Sequence, residues 1–200
     1  MKRWLNPKML IIGVISVALI LGYYYYLTNL NVKTVSDNEE LGKVDLMITE
    51  NLDRNYPQTP RELIKYYTSI QKCYYNEEYT ESELEKLASQ ALRLFDEELA
   101  ENNPYDQYLK NLKTDAALWH TNGKTLNVTV PETREIVFIE NGSEELAYVP
   151  CTYFVRQGAN YSSSLQTYVC RKDAEGRWKI LGWLSGGVPE EVMGKEASNG

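Results

Sequence analysis

From Met9 to Leu27 the chain runs nineteen residues without a charge, behind Lys2, Arg3 and Lys8, and the run ends in four consecutive tyrosines, Tyr23 to Tyr26. As a helix this segment spans roughly 28 Å, close to the ~30 Å hydrocarbon thickness of a bilayer. A cleaved signal peptide competes with that reading, because Met9 to Gly22 is also the length of an apolar signal core. No Ala-x-Ala pattern and no cysteine follow the run, so an uncleaved transmembrane anchor is expected. The tyrosine rings suit one membrane–water interface and Trp4 the other. Three basic residues before the span, against Lys33, Asp37, Glu39 and Glu40 after it, place the N-terminus in the cytoplasm and the remainder outside.

Beyond the anchor, residues 28–42 are polar and aperiodic and read as a stalk. Lys43 to Asp53 follow with Val44, Met47, Ile48 and Leu52 spaced for one face of a short helix. Thr59-Pro60-Arg61-Glu62 is a capping box with proline at the first helical position, which predicts a helix from Pro60 to about Asn76 with the stripe Leu63, Tyr67, Ile70 and Tyr74. Thr80-Glu81-Ser82-Glu83 repeats the device. Its stripe of Leu84, Leu87, Ala88, Ala91, Phe95 and Leu99 predicts one helix ending near Glu101. Asn103-Pro104 opens a third major helix, with Tyr105, Tyr108, Leu109, Leu112, Ala116 and Trp119 inward and Asn122-Gly123 at its end.

After Gly123 the period changes to two. Lys124 to Val130 and Glu132 to Glu140 read as strands, and Asn141-Gly142 is a tight-hairpin signal into Glu144 to Arg156. Gln157 to Ser164 reads as a longer loop before Leu165 to Lys172. Asp173 to Gly176 then turn into Arg177 to Leu184. Pro131 and Pro150 mark an edge or a bulge. The predicted architecture is α+β, with about three helices packed on one face of a roughly four-stranded antiparallel sheet. One domain is expected over residues 43–187, with 1–27 as cytoplasmic stub and anchor, 28–42 as stalk and 188–200 as a flexible tail.

Charge narrows the partners. Past the anchor there are 28 acidic and 18 basic residues, a formal charge of −10. Nucleic-acid binding rests on Lys and Arg neutralising phosphates, so no nucleic-acid partner is expected. An acidic surface suits solubility, a basic partner or loosely held cations. Cys73, Cys151 and Cys170 are too few and too scattered for a disulfide framework or a zinc site. Cys151 and Cys170 are symmetric about the expected 157–164 loop and would face each other across it; the alternative is three small buried thiols.

No catalytic constellation stands out, and neither a cofactor nor a metal is expected. The one histidine, His120, sits near the end of the third major helix, where a capping or surface role fits better than a Cys–His pair with Cys73 or Cys170. Glu77, Glu78, Glu81, Glu83 and Glu85 crowd the start of the second helix, the favourable end of its dipole. Asp96, Glu97, Glu98 and Glu101 crowd its expected C-terminus, the unfavourable end, which leaves open an acidic patch for a partner or calcium. Sixteen tyrosines against three phenylalanines are the remaining peculiarity. If Gly176 takes a left-handed turn position, Trp178 and Ile180 share a face with Tyr168 and Cys170, and hairpin symmetry adds Cys151 and Tyr153. Tyr67, Tyr74, Trp119, Tyr153, Tyr168 and Trp178 then either pack as ordinary core or line a ligand pocket between helices and sheet.

Stretches such as Asn55-Tyr56-Pro57-Gln58-Thr59-Pro60, Lys72-Cys73-Tyr74-Tyr75-Asn76-Glu77, Leu94-Phe95-Asp96-Glu97-Glu98-Leu99 and Gly176-Arg177-Trp178-Lys179-Ile180-Leu181-Gly182-Trp183 resemble a membrane-anchored domain-of-unknown-function family of Gram-positive anaerobic bacteria. The resemblance covers nearly the whole chain and implies a single-pass cell-membrane protein with its C-terminal domain outside. It carries no catalytic residues, and under it the sequons at Asn127 and Asn160 are incidental. The Gly-Arg-Trp-Lys-Ile strand also resembles the last strand of NTF2-like domains, although the order of helices before sheet departs from that pattern, and a cystatin-like layer is the alternative. Two functions follow: a non-catalytic module for a protein, peptide or cell-wall partner, or an NTF2-like domain whose pocket binds or converts a small molecule.

Overall fold

A computed structural model describes residues 42–142 and 144–196. The sequence-predicted stub and anchor, and the stalk up to Leu41, lie outside the described residues, as do the last four. Among the described residues there are six α-helices: α1 (Lys43–Thr49), α2 (Pro60–Asn76), α3 (Glu81–Leu92), α4 (Glu97–Asn102), α5 (Tyr105–Thr121) and α6 (Glu190–Glu196). Five strands form one antiparallel sheet: β1 (Lys124–Thr129), β2 (Val137–Asn141), β3 (Glu144–Gln157), β4 (Asn160–Lys172) and β5 (Trp178–Ser185). No described helix is long and apolar enough to cross a membrane.

The helix starts follow their capping chemistry. Thr59 accepts the Glu62 amide, while Glu62 reaches back to the Gln58 amide, one residue before the cap. At α3 the box is complete: Thr80 Oγ1 accepts the Glu83 amide at 3.3 Å and Glu83 Oε2 accepts the Thr80 amide at 2.6 Å. Leu63, Tyr67, Ile70 and Tyr74 of α2 are buried as their spacing requires. The α5 stripe seals at Leu109, Leu112 and Ala116, and Gly123, at φ +57°, ends that helix.

One expected helix is in fact two. Periodicity runs unbroken from Leu84 to Leu99, yet α3 stops at Leu92 because the next residues join the sheet. Phe95 forms a parallel bridge to Ile180: the Asp96 amide donates to the Ile180 carbonyl and the Ile180 amide to the Leu94 carbonyl, both at 2.8 Å. Asp96 then caps a new helix, its carboxylate accepting the Glu98 amide. Glu97 and Glu98 therefore occupy the first turn of α4, the favourable end of its dipole, and their expected place at an unfavourable C-terminus is corrected.

The sheet order is β1-β3-β4-β5, with β2 also on β3. β3 is long enough to serve two partners along one edge: β2 pairs with Glu144 to Tyr148 and β1 with Thr152 to Gln157. Pro150 falls in the gap between them, where no neighbour on that edge needs the amide it lacks. The expected eight-residue loop is instead a two-residue turn at Gly158 and Ala159, with Gly158 at φ +59° and Gln157 opposite Asn160. Ser162 to Ser164 read as loop because they are polar; they are strand residues exposed on a projecting hairpin. The count is therefore five strands where about four were expected. The core lies between α2, α3, α5 and the inner sheet face, built on Ala147, Val149, Cys151, Tyr168, Cys170 and Ile180. After β5, α6 packs against β2, and Thr167 Oγ1 donates to the Gly186 carbonyl.

Candidate functional site

Of the six aromatic residues read as core or pocket, Tyr67, Tyr74, Tyr153, Tyr168 and Trp178 are buried and Trp119 packs half-buried against the core. Tyr67 stands edge-on to Phe95 and Tyr168, with centroids 5.8 and 5.7 Å away. Tyr153 and Tyr168 bond through their hydroxyls, and both reach Gln71 Oε1 of α2, at 2.7 and 3.4 Å. Tyr74 donates to the Leu87 carbonyl at 3.1 Å. Burial raises the hydroxyls of Tyr67, Tyr74 and Tyr168 well above the ordinary tyrosine range. Trp178 is buried at the start of β5, and its carbonyl accepts the Tyr56 hydroxyl. Trp119 is half-buried, its ring 4.6 Å from that of Tyr75 with Lys124 Nζ 5.4 Å from its centroid. These hydroxyls tie α2 and α3 to each other and to the sheet, and none of the clefts described below is lined by any of the six.

The hairpin turn also decides the cysteines. With the turn at Gly158-Ala159, Cys151 faces Gln166 and Cys170 faces Ala147. The two sit four residues out of register, roughly 13 Å along the strands, where a disulfide tolerates about 7 Å between Cα atoms. All three thiols are free and buried. Desolvation pushes Cys73 up to about 11 and Cys151 up to about 12, so neither is primed as a nucleophile. An even register shift leaves faces unchanged, which is why Cys151, Tyr153, Tyr168, Cys170, Trp178 and Ile180 still share the inner face.

His120 has a capping role, on a different helix from its own. Its Nε2 lies 2.9 Å from the Tyr74 carbonyl, an orphan acceptor in the last turn of α2, and because a carbonyl only accepts, that nitrogen carries the proton. The Tyr79 hydroxyl donates to the same carbonyl at 2.9 Å.

Two features escaped the sequence. Asp96, 5 % exposed, receives the Arg171 guanidinium as a fork, Nε to Oδ2 at 3.1 Å and Nη2 to Oδ1 at 2.5 Å, and Arg171 also reaches Glu144 at 3.2 Å. The Arg171 fork holds the Leu94–Asp96 bridge against the sheet and borders a charged cleft of about 500 Å³. The second is a groove of about 590 Å³ between the α2–α3 turn and α5. Leu84, Ala116 and Ala117 line it, Glu77, Glu78 and Glu81 lie at its rim, and Lys113 reaches across to Glu81 at 2.5 Å. Smaller hollows lie beside Cys73 and Met47, about 260 Å³, and beside Gln90 and Tyr105, about 460 Å³. Among the described residues, no three His, Cys, Asp or Glu side chains converge as a metal site.

These contacts define an α+β domain in which hydroxyl and guanidinium links fasten a helical layer to an antiparallel sheet. The chain belongs to the DUF6715 family, a domain of unknown function, which matches residues 1–183. No curated protein matches it. Among solved structures it is similar to the crystal structure of the intermembrane space region of the chloroplast protein ARC6, with 13% identity, coverage of 68% of this chain and 99% of that one, and a TM-score of 0.35.

Proposed function

We propose that the protein is a membrane-tethered, non-catalytic binding module, held by Met9 to Leu27 with its domain outside the cytoplasm, that receives a basic segment of a protein or peptide partner in the groove between the α2–α3 turn and α5. The observation that carries this reading is the groove itself: an apolar floor of Leu84, Ala116 and Ala117 beneath an acidic rim of Glu77, Glu78 and Glu81. Ion pairing holds Glu77 to Lys43 and Glu81 to Lys113, and Glu78 stands beside them for an incoming cation. A pocket beneath the sheet is disfavoured, because Tyr74, Tyr153 and Tyr168, which would line it, are buried and spend their hydroxyls on Leu87, Gln71 and one another.

The test is crosslinking capture from intact cells with the full chain and with Ala117→Trp, which fills the groove from an exposed helix position. A partner recovered by the first and lost by the second is expected. Recovery of the same partner by both would move the binding surface elsewhere, and recovery of nothing above background would end the proposal. Resistance of the chain to alkaline carbonate extraction checks the anchor separately.

A further inference from the structure

The outer face of the β3–β4 hairpin is apolar and bare. Tyr161 is 73% exposed, Leu165 42%, Phe154 41% and Leu184 39%. Strand register sets all four on the face opposite the helices: Phe154 pairs with Ser163, Thr152 with Leu165, Thr167 with Leu184 and Arg156 with Tyr161. The Arg156 guanidinium lies over the Tyr161 ring, 5.9 Å from its centroid. α6 packs against β2, and nearer the base of the hairpin Thr167 of this face is buried, its Oγ1 donating to the Gly186 carbonyl. Patches of this kind mark contact sites.

Charge and chain path indicate what covers it. In a domain this acidic, residues 116–131 and 146–172 contain no Asp or Glu, and those stretches are β1, the end of α5 and the hairpin. The Gln157 side chain joins the hairpin tip to the Asn122 carbonyl at the α5–β1 turn, so the acid-free stretches form one end of the molecule. Glu77 and Glu78 line the groove beside His120 on the helix side, and Glu77 is paired with Lys43. The chain enters the domain at this same end: Lys43 is tied to Glu77, and the neighbouring Asn76 clasps Leu126 of β1, which faces Val155 two residues from Gln157. Forty-one residues precede Gly42, and they include the uncharged run.

We infer that the β3–β4 hairpin docks on the lipid surface, with Phe154, Tyr161 and Leu165 at the headgroup boundary and Arg156 among the lipid phosphates. This inference rests on the proposed anchor. Aromatic residues suit that boundary, an arginine is drawn to anionic headgroups, and the acidic remainder of the domain is repelled from them. The hairpin is the part of the surface that satisfies all three conditions together, and docking it leaves the groove facing away from the sheet's outer face.

The full chain reconstituted in vesicles of equal parts phosphatidylcholine and phosphatidylglycerol tests the contact. The native thiols are buried, so an environment-sensitive maleimide dye reports a single introduced cysteine, either Tyr161→Cys on the hairpin or Ala174→Cys on the β4–β5 turn at the other end of the sheet. Brominated lipids are expected to quench the dye at 161 and iodide to quench it severalfold less there than at 174, with Arg156→Glu removing the difference. Carbonate-resistant protein whose two dyes are equally open to iodide overturns the hairpin contact alone, even if a protein partner shields 161 in cells. Carbonate-extractable protein overturns the anchor, and the hairpin contact falls with it.

Discussion

Replacing Asp96 asks how much of the fold hangs on one buried carboxylate. Its side chain caps α4 through the Glu98 amide and takes the Arg171 fork, while its backbone belongs to the bridge with Ile180. Losing an N-cap costs about 1 kcal/mol, and charge-assisted hydrogen bonds contribute about 1.5–3 kcal/mol. Arg171 keeps Glu144 at 3.2 Å and Glu98 at 3.5 Å as fallback partners, so the penalty stays below that of a fully orphaned charge. Asp96→Ala is expected to lose about 3 kcal/mol, a fall in Tm of roughly 6–12 °C for a domain of this size. Asp96→Asn preserves an oxygen for the cap and one acceptor for Arg171 and is expected to lose about half as much. Thermal unfolding of the full chain by far-ultraviolet circular dichroism measures both. Amide exchange at Ile180 should quicken in the alanine variant. A drop of less than about 2 °C for Asp96→Ala, or equal losses for the two variants, would refute the reasoning.

Asn76→Ala removes the amide that donates to the Leu126 carbonyl and accepts the Leu126 amide, both at 2.7 Å; a loss of about 2 kcal/mol is expected in urea titration, with local exchange at Leu126 accelerated first. Asp173 gives the pH dependence. Burial opposes its ionisation, but the Arg177 amide and guanidinium outweigh that and hold its carboxyl below the usual range. The stability it adds is therefore present above the unfolded value of about 3.9 and lost as pH falls through the lower folded value. Asp173→Asn retains an acceptor for the Glu175 and Arg177 amides, so the stability gap between wild type and variant is expected to close in acid and hold at neutral pH.

The parts of the fold that follow local rules were legible. Thr59, Thr80 and Gly123 mark their helix ends through chemistry contained within four residues, and Asn141-Gly142 marks its hairpin in the same way. The break after Leu92 was invisible because the apolar stripe continues through it; a hydrogen-bonded bridge to a strand 85 residues later wins over helical propagation. The hairpin turn was misplaced because three serines imitate a loop, whereas Gly158 does the turning. That error moved every cross-strand partner by four residues yet left every face correct, so the inner aromatic residues were identified together while the cysteine pairing was not. The groove and the Asp96–Arg171 fork join residues from separate elements, and no local pattern announces such a meeting.

The outer edges of β1 and β5 are each clasped from within the chain. At β1 the Asn76 side chain imitates a strand's donor and acceptor at Leu126, and at β5 the Leu94–Asp96 segment takes the backbone of Ile180. An unguarded edge recruits the matching edge of another copy. With Leu126 and Ile180 already spoken for, neighbouring copies gain little by adding to those two strands at these positions. The same few hydrogen bonds that fasten helices to sheet thus also guard these two edges, and loosening either clasp would bare a strand to another copy.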